Sequence, residues 1–306
     1  MALIALTLLP IVFFGALSGP LNGNSVTMPM AKAIWLAGVA HVGMTGTLWF
    51  DQRYRQHIRG RPFYFYAGPA ALATACILGV QAFGDLGFRV FTSLYTIWLF
   101  YHFGRQNWGL LCLISTAVKA GRPSDMERQI CQWAPVAGMA GALIGAEGAG
   151  GLAIVRQVGF AAGLVVAGVS LAVAVWQFTN GTHPIKTAMT VTVGLFFLPV
   201  YVFGSYGAVA VGVAHAYQYI LVMICMDAQR RASAPRRWFL PLTFVTVIYV
   251  AAFFVMNRAE GDLARPLAVL WNSIIIWHFI IDADVWRLSQ PFQRQVVKDN
   301  LPYLFR

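Results

Sequence analysis

Charge is what this chain has least of. Only 11% of its 306 residues are Asp, Glu, Lys or Arg, and 58% are hydrophobic; soluble proteins average roughly 25% charged. So little charge excludes an ordinary soluble domain. Acidic residues are the scarcer sign, 11 against 22 basic ones. The excess of positive charge lies in short loops between apolar runs, and no RNA- or DNA-binding pattern accompanies it, so no nucleic-acid partner is expected. Cysteine is sparse as well. Cys76, Cys112, Cys131 and Cys225 fall in or beside apolar runs with no CxxC spacing. That excludes a disulfide framework or a thiolate zinc site and leaves four small buried hydrophobes. No internal repeat is evident, which weighs against an inverted-repeat transporter. The first apolar run, Ala2 to Ser18, lacks the basic start and cleavage pattern of a signal peptide and reads as a retained span.

What the chain has instead is a succession of apolar runs, most about twenty residues long, enough to cross roughly 30 Å of hydrocarbon as helix. Ten spans are predicted: 2–18, 31–50, 63–83, 88–116, 129–146, 152–178, 187–203, 205–226, 238–256 and 266–286. Basic residues follow every even-numbered span: Arg53, Arg55, Arg59 and Arg61; Lys119, Arg122 and Arg128; Lys186; Arg230, Arg231, Arg236 and Arg237; Arg287, Arg294 and Lys298. The opposite loops are short and neutral or acidic. The positive-inside bias then places both termini in the cytoplasm. The expected fold is one all-α domain over 1–306, a polytopic transmembrane bundle of a bacterial-type inner membrane.

Four histidines, His41, His102, His215 and His278, lie inside these runs, on the second, fourth, eighth and tenth spans. An ionisable side chain in hydrocarbon costs about 3 kcal/mol when charged, so four on helices running the same way suggest a shared centre. Neutral imidazoles in a dry interior are suited to holding a metal ion. Each is followed four residues later, on the same helical face, by a polar companion: Thr45, Gln106, Tyr219 and Asp282, with Gln218 one place earlier. A metal-bound imidazole gives its second N–H to such a group, here one carried by a neighbouring helix. His57 and His183 read as solvated loop residues. Asp284 reads as a second such carboxylate or as an interfacial residue pairing with Arg287 or Trp286, and Trp286 as interfacial.

The strings YHFGRQNWG (101–109), AHAYQYILVM (214–223) and WHFIIDADVWR (277–287) resemble the bacteriorhodopsin-related Brp/Blh family of integral-membrane β-carotene 15,15′-dioxygenases. That family has an early His-Gly motif, an HFG motif ending in Asp, a later His-bearing span, and a last span with His, apolar residues and Asp. By this resemblance His41, His102, His215 and His278 match its iron-binding histidines. The chain departs from the pattern in AHVGMTG (40–46), where Gly43 stands two places after His41, and at Asn107, where Asp is usual. Its last Asp falls at 282 or 284, one place to either side of the usual offset. The resemblance implies non-haem Fe(II), O2 as co-substrate and cleavage of a carotenoid double bond to two aldehydes. It bears more on the histidine site than on the substrate.

The expected function is therefore a membrane-embedded non-haem metal oxygenase, its metal iron. Its substrate would be a lipid-soluble polyene, isoprenoid or other lipid, reached from the surrounding membrane lipids. Trp98, Tyr101, Tyr217 and Trp277 neighbour the histidines and are the candidate pocket residues. The alternative is a transporter or proton conductor using the histidines, Gln218, Asp282 and Glu147 as a polar path.

Overall fold

The computed structural model describes residues 1–18, 40–145, 153–233, 243–244, 247–248, 251–252 and 264–304. Among these there is helix and no strand. Helix follows from the composition, because a chain in hydrocarbon must satisfy each backbone N–H and C=O within itself. The elements are α1 (Ala2–Ser18), a helical turn over 40–44 running into a tighter one (Thr45–Phe50), and α2 (Gln52–Arg59). A wide turn (Phe63–Ala67) then enters α3 (Gly68–Ala117). There follow α4 (Asp125–Gly145), α5 (Ala153–Thr179), α6 (Pro184–Leu195), α7 (Pro199–Phe203), α8 (Ser205–Ser233), α9 (Ala264–Val285) and α10 (Pro291–Asn300). Residues 31–39 of the expected span 31–50, most of the expected span 238–256, and Glu147 lie outside the described residues.

Four helical stretches are long and apolar enough to cross a membrane: Phe63–Ala117, Ile154–Thr179, Tyr206–Met226 and Ala264–Val285. The protein is accordingly described as a membrane protein. The first of these would run about 80 Å if straight, far beyond a bilayer core. It is not straight. Gly84 has φ 54° and ψ −125°, a backbone region that glycine alone enters readily. A Cβ on Gly87 would lie 2.6 Å from the Gly79 carbonyl oxygen, whereas residues eight apart in a straight helix are about 12 Å apart. The chain turns sharply here, at the break expected between 83 and 88, and two arms result.

The expected span 187–203 is interrupted instead. Helix α6 ends at Leu195 and α7 starts at Pro199, which has no N–H to continue the ladder. Gly204 (φ 56°, ψ −128°) then repeats the Gly84 torsions. Residues 291–300, read from sequence as part of a basic tail, form α10, with Val296 and Val297 buried.

Helix α1 packs along α8, α9 along α3, and α4 against α3 and α5. One buried ionic cluster ties α4, α5 and α6. Ser124 and Glu127 form a capping box: Glu127 Oε2 accepts from Ser124 N at 2.6 Å, and Ser124 Oγ accepts from Glu127 N at 3.2 Å. The other carboxylate oxygen accepts from Gln177 Nε2 (2.9 Å) and Thr190 Oγ1 (3.0 Å), and Lys186 Nζ stands 3.5 Å from Oε2. Burial pushes this carboxyl up, but those donors and the Lys186 ammonium outweigh it and hold Glu127 below its ordinary range. Its stabilisation is therefore complete above the usual carboxylate range and is lost as pH falls through the depressed folded value. Glu127→Ala should cost about 3–5 kcal/mol, since it strands a buried ammonium. Thermal unfolding in detergent should show the wild type, but not the variant, losing this increment in acid.

Candidate metal centre

His41 lies on the turn over 40–44, His102 on the second arm of α3, His215 on α8 and His278 on α9, and all four are buried. One ring nitrogen from each can be chosen so that all four lie within 4.8 Å of one another. The rings follow one another in a cycle. Centroid separations are 4.2 Å for His41–His278, 5.5 Å for His278–His102, 4.8 Å for His102–His215 and 4.8 Å for His215–His41, each pair near edge-to-face. His41 Nε2 and His215 Nε2 approach to 3.2 Å.

The companions one turn on serve this cycle in the same sense. Thr45, on the His41 segment, bonds His278 Nδ1 through Oγ1 at 2.5 Å. Asp282, on the His278 helix, brings Oδ2 to 3.4 Å from His102 Nε2. Gln106, on the His102 helix, donates from Nε2 to the His215 carbonyl at 3.0 Å and to Gln218 Oε1 at 3.1 Å. Tyr219, on the His215 helix, returns to Thr45 with its hydroxyl 3.0 Å from Oγ1. The phenylalanine that follows His102 and His278 obeys the same rule. Phe103 covers the His215 ring at 4.1 Å, and Phe279 stacks on His102 at 4.2 Å. Each companion thus reaches the next segment around the cycle, and Thr45 bonds the ring of its histidine directly. Gln218 also donates to Thr7 Oγ1 (3.0 Å) and Asn107 Oδ1 (3.3 Å), joining α1 to the cluster.

The ring has room for one ion with little movement. An imidazole nitrogen binds such an ion at about 2.0–2.1 Å, so two donors on one ion are at most about 4.2 Å apart. His102 Nε2, His278 Nε2 and His215 Nδ1 have no hydrogen-bond partner, and neither has Asp282 Oδ2, which misses bonding geometry with His102. A buried polar atom left unpaired costs about 1–3 kcal/mol, and the three histidines belong to the cluster, with Asp282 beside His102. A divalent ion would occupy the nitrogens, and the Asp282 carboxylate would offset its charge.

Local packing explains why these helices come so close. A Cβ on Gly104 would meet Pro135 Cγ at 2.6 Å and the Cys131 carbonyl oxygen at 2.9 Å. Pro135 leaves that carbonyl without its helical donor, and the bare glycine of HFG lets α3 settle against it. Likewise a Cβ on Gly109 would meet the Trp286 ring at 2.7 Å. Trp286 is buried rather than interfacial, and its Nε1 donates to Asp282 Oδ1 at 2.8 Å. The indole therefore fixes the carboxylate that faces His102.

The pocket candidates separate. Trp98 and Tyr101 line an apolar groove, with Tyr101 55% exposed. Tyr217 packs instead against Ala210, Val213 and Ile11, and Trp277 donates from Nε1 to the Phe65 carbonyl at 2.5 Å. Neither is among the groove's lining residues.

A second polar cluster escaped the sequence reading. His57 is not a solvated loop residue. It sits on α2, nearly buried, with Nε2 3.0 Å from Asp284 Oδ2 and its ring stacked 4.2 Å from Phe292. Asp284 is fully buried, not interfacial, and also accepts from Tyr54 (3.1 Å) and Gln293 (3.0 Å). Burial, with Asp284 beside it, pushes the Tyr54 hydroxyl well above its ordinary value, so it remains a donor. His183 is exposed and caps α6, accepting from Ile185 N. The Tyr54 and His57 contacts left no sequence signal beyond an unexplained second aspartate at 284.

Comparison of the chain with protein-family models, with curated proteins and with solved structures finds no match. Gly104→Val, which touches no histidine, should destabilise the protein by about 1–3 kcal/mol through overpacking. A melting curve in detergent measures this.

Proposed function

We propose that the protein is a membrane-embedded non-haem metal oxygenase, with iron held by His41, His102, His215 and His278 and an uncharged lipid-soluble substrate. The observation that carries this reading is the convergence of four buried imidazole nitrogens within 4.8 Å. Four neutral nitrogen donors suit iron, copper or zinc; the resemblance in the HFG and last-span motifs favours iron. Iron held by these four histidines would supply the activation of O2; cleavage of a double bond with both oxygen atoms of O2 gives two carbonyl products and needs no external reductant. A carotenoid or other isoprenoid polyene fits the location, because it reaches the site without leaving hydrocarbon.

The chain's own residues prepare the site. Thr45 engages Nδ1 of His278 and so leaves Nε2 for the ion. Asp282, held by Trp286, brings a carboxyl oxygen to 3.4 Å from His102 Nε2. Phe103 and Phe279 cover two of the rings and exclude water. The ten-span bundle with both termini inside the cytoplasmic membrane belongs to the same proposal. It is supported by contacts that gather basic exits of even-numbered spans. Arg53 pairs with Asp299, joining α2 to α10, and Lys186 pairs with Glu127 at the start of α4.

Protein purified under reducing, chelator-free conditions should carry about one iron per chain, lost on His102→Ala or His278→Ala; a preparation free of transition metal ends this reading. Thr45→Ala and Asp282→Asn should each weaken metal affinity roughly 10–100-fold, measured by competition with a calibrated chelator.

A further inference from the structure

An apolar groove of about 980 Å³ runs between the two arms of α3, with Met139 of α4 and Ile276 of α9 at its sides. That volume is at the upper end for ligand pockets, about 300–1,000 Å³. Among the described residues no charged side chain lines it. Two observations connect it with the histidines. Tyr95, from the groove wall, stacks on Phe279 at 6.3 Å between centroids (23°), and Phe279 stacks on His102 at 4.2 Å (23°). A single ring therefore stands between a wall residue and an imidazole of the cluster. Ile276, at the groove's side, precedes His278 by two residues on the same helix.

The third observation concerns a side chain that is missing. Gly79 lines the groove, its φ is ordinary, and a Cβ there would meet nothing within 4 Å. Glycine destabilises a helix interior relative to alanine, and at this position no close approach or special torsion calls for it. Gly84 and Gly87 differ, since the turn between the arms requires them. What the bare Gly79 does is keep the groove open.

We propose that this groove binds the substrate, a long uncharged apolar chain entering sideways from lipid, and that Phe279 is the ring that decides which chains reach His102. This rests on the oxygenase reading and adds where the substrate lies. The chemistry that selects it is an uncharged wall faced with Tyr95, Trp98 and Tyr101, whose flat rings suit a conjugated chain.

The test uses the full chain in lipid nanodiscs with β-carotene as probe. Retained carotenoid is read by visible absorption and induced circular dichroism, and iron is counted in the same samples. Gly79→Leu should reduce retention at least about tenfold, as for a filled pocket, with iron content unchanged; Gly79→Ala should give a smaller loss. Phe279→Ala should keep retention, while 2,2′-bipyridyl strips its iron several times faster than from wild type. Three results overturn the groove assignment and leave the iron reading standing. They are undiminished retention in both Gly79 variants, no retention by wild type, and displacement of the carotenoid by an equal amount of phospholipid. An unchanged stripping rate in Phe279→Ala removes the role given to that ring. Wild type without iron defeats the oxygenase reading, and this proposal with it.

Discussion

The constraint on which this molecule turns is that a buried nitrogen or oxygen atom must find a partner. In water an imidazole is satisfied anywhere. Between apolar helices it is satisfied only where another helix has been brought to meet it. Here the arrangement is circular: His41 is followed around the ring by His278, His102 and His215, and each segment carries a polar group that reaches the next one. The cycle has no redundant member. It also leaves a few polar atoms facing one another with nothing between them to bond, which is the property that makes the centre chemically interesting rather than merely cohesive.

Everything near the ring serves the approach of its helices. Gly104 lies against the Cys131 carbonyl that Pro135 frees, and Gly109 lies under Trp286. The same sharp corner is used twice. Gly84 and Gly204 share their backbone torsions, and in each case the glycine three places on, Gly87 or Gly207, nests against backbone from before the turn. His102 and His215 stand on the helices that leave these corners, their distances from the corner differing by seven residues. Two helical turns separate them along the axis, and they project from nearly the same side. Two of the four donors are thus presented by one recurring piece of geometry.

Much of the centre could be read from the sequence because helical periodicity is local. A residue four places after a histidine is on its face whatever the fold, so Thr45, Gln106, Tyr219 and Asp282 stood out. Helicity and the break near Gly84 were legible for the same reason. Which histidine each companion serves was not legible, because that depends on how distant helices are arranged around one another. The surroundings of Asp284 and Trp286 were not legible, since the end of a span looks alike whether it faces lipid headgroups or other helices; Asp284 meets α2 and α10, and Trp286 meets Gly109 of α3. His57 was passed over because its sequence, QHIRGR, is polar, and the burial comes from Phe292 and Asp284, more than two hundred residues away. The interruption before Pro199 was within reach of the sequence, as proline denies the ladder a donor.

The circular order of the histidines has a bearing on how the protein is made. His41, from one of the first segments to be synthesised, has as its neighbour His278, from one of the last. Thr45 bridges the same interval to His278, and Asp282 reaches back from α9 to His102 on α3. Until α9 has joined the earlier helices, the ring is an open arc without its His278. An ion that needs all four donors can therefore be held only once α9 is in place.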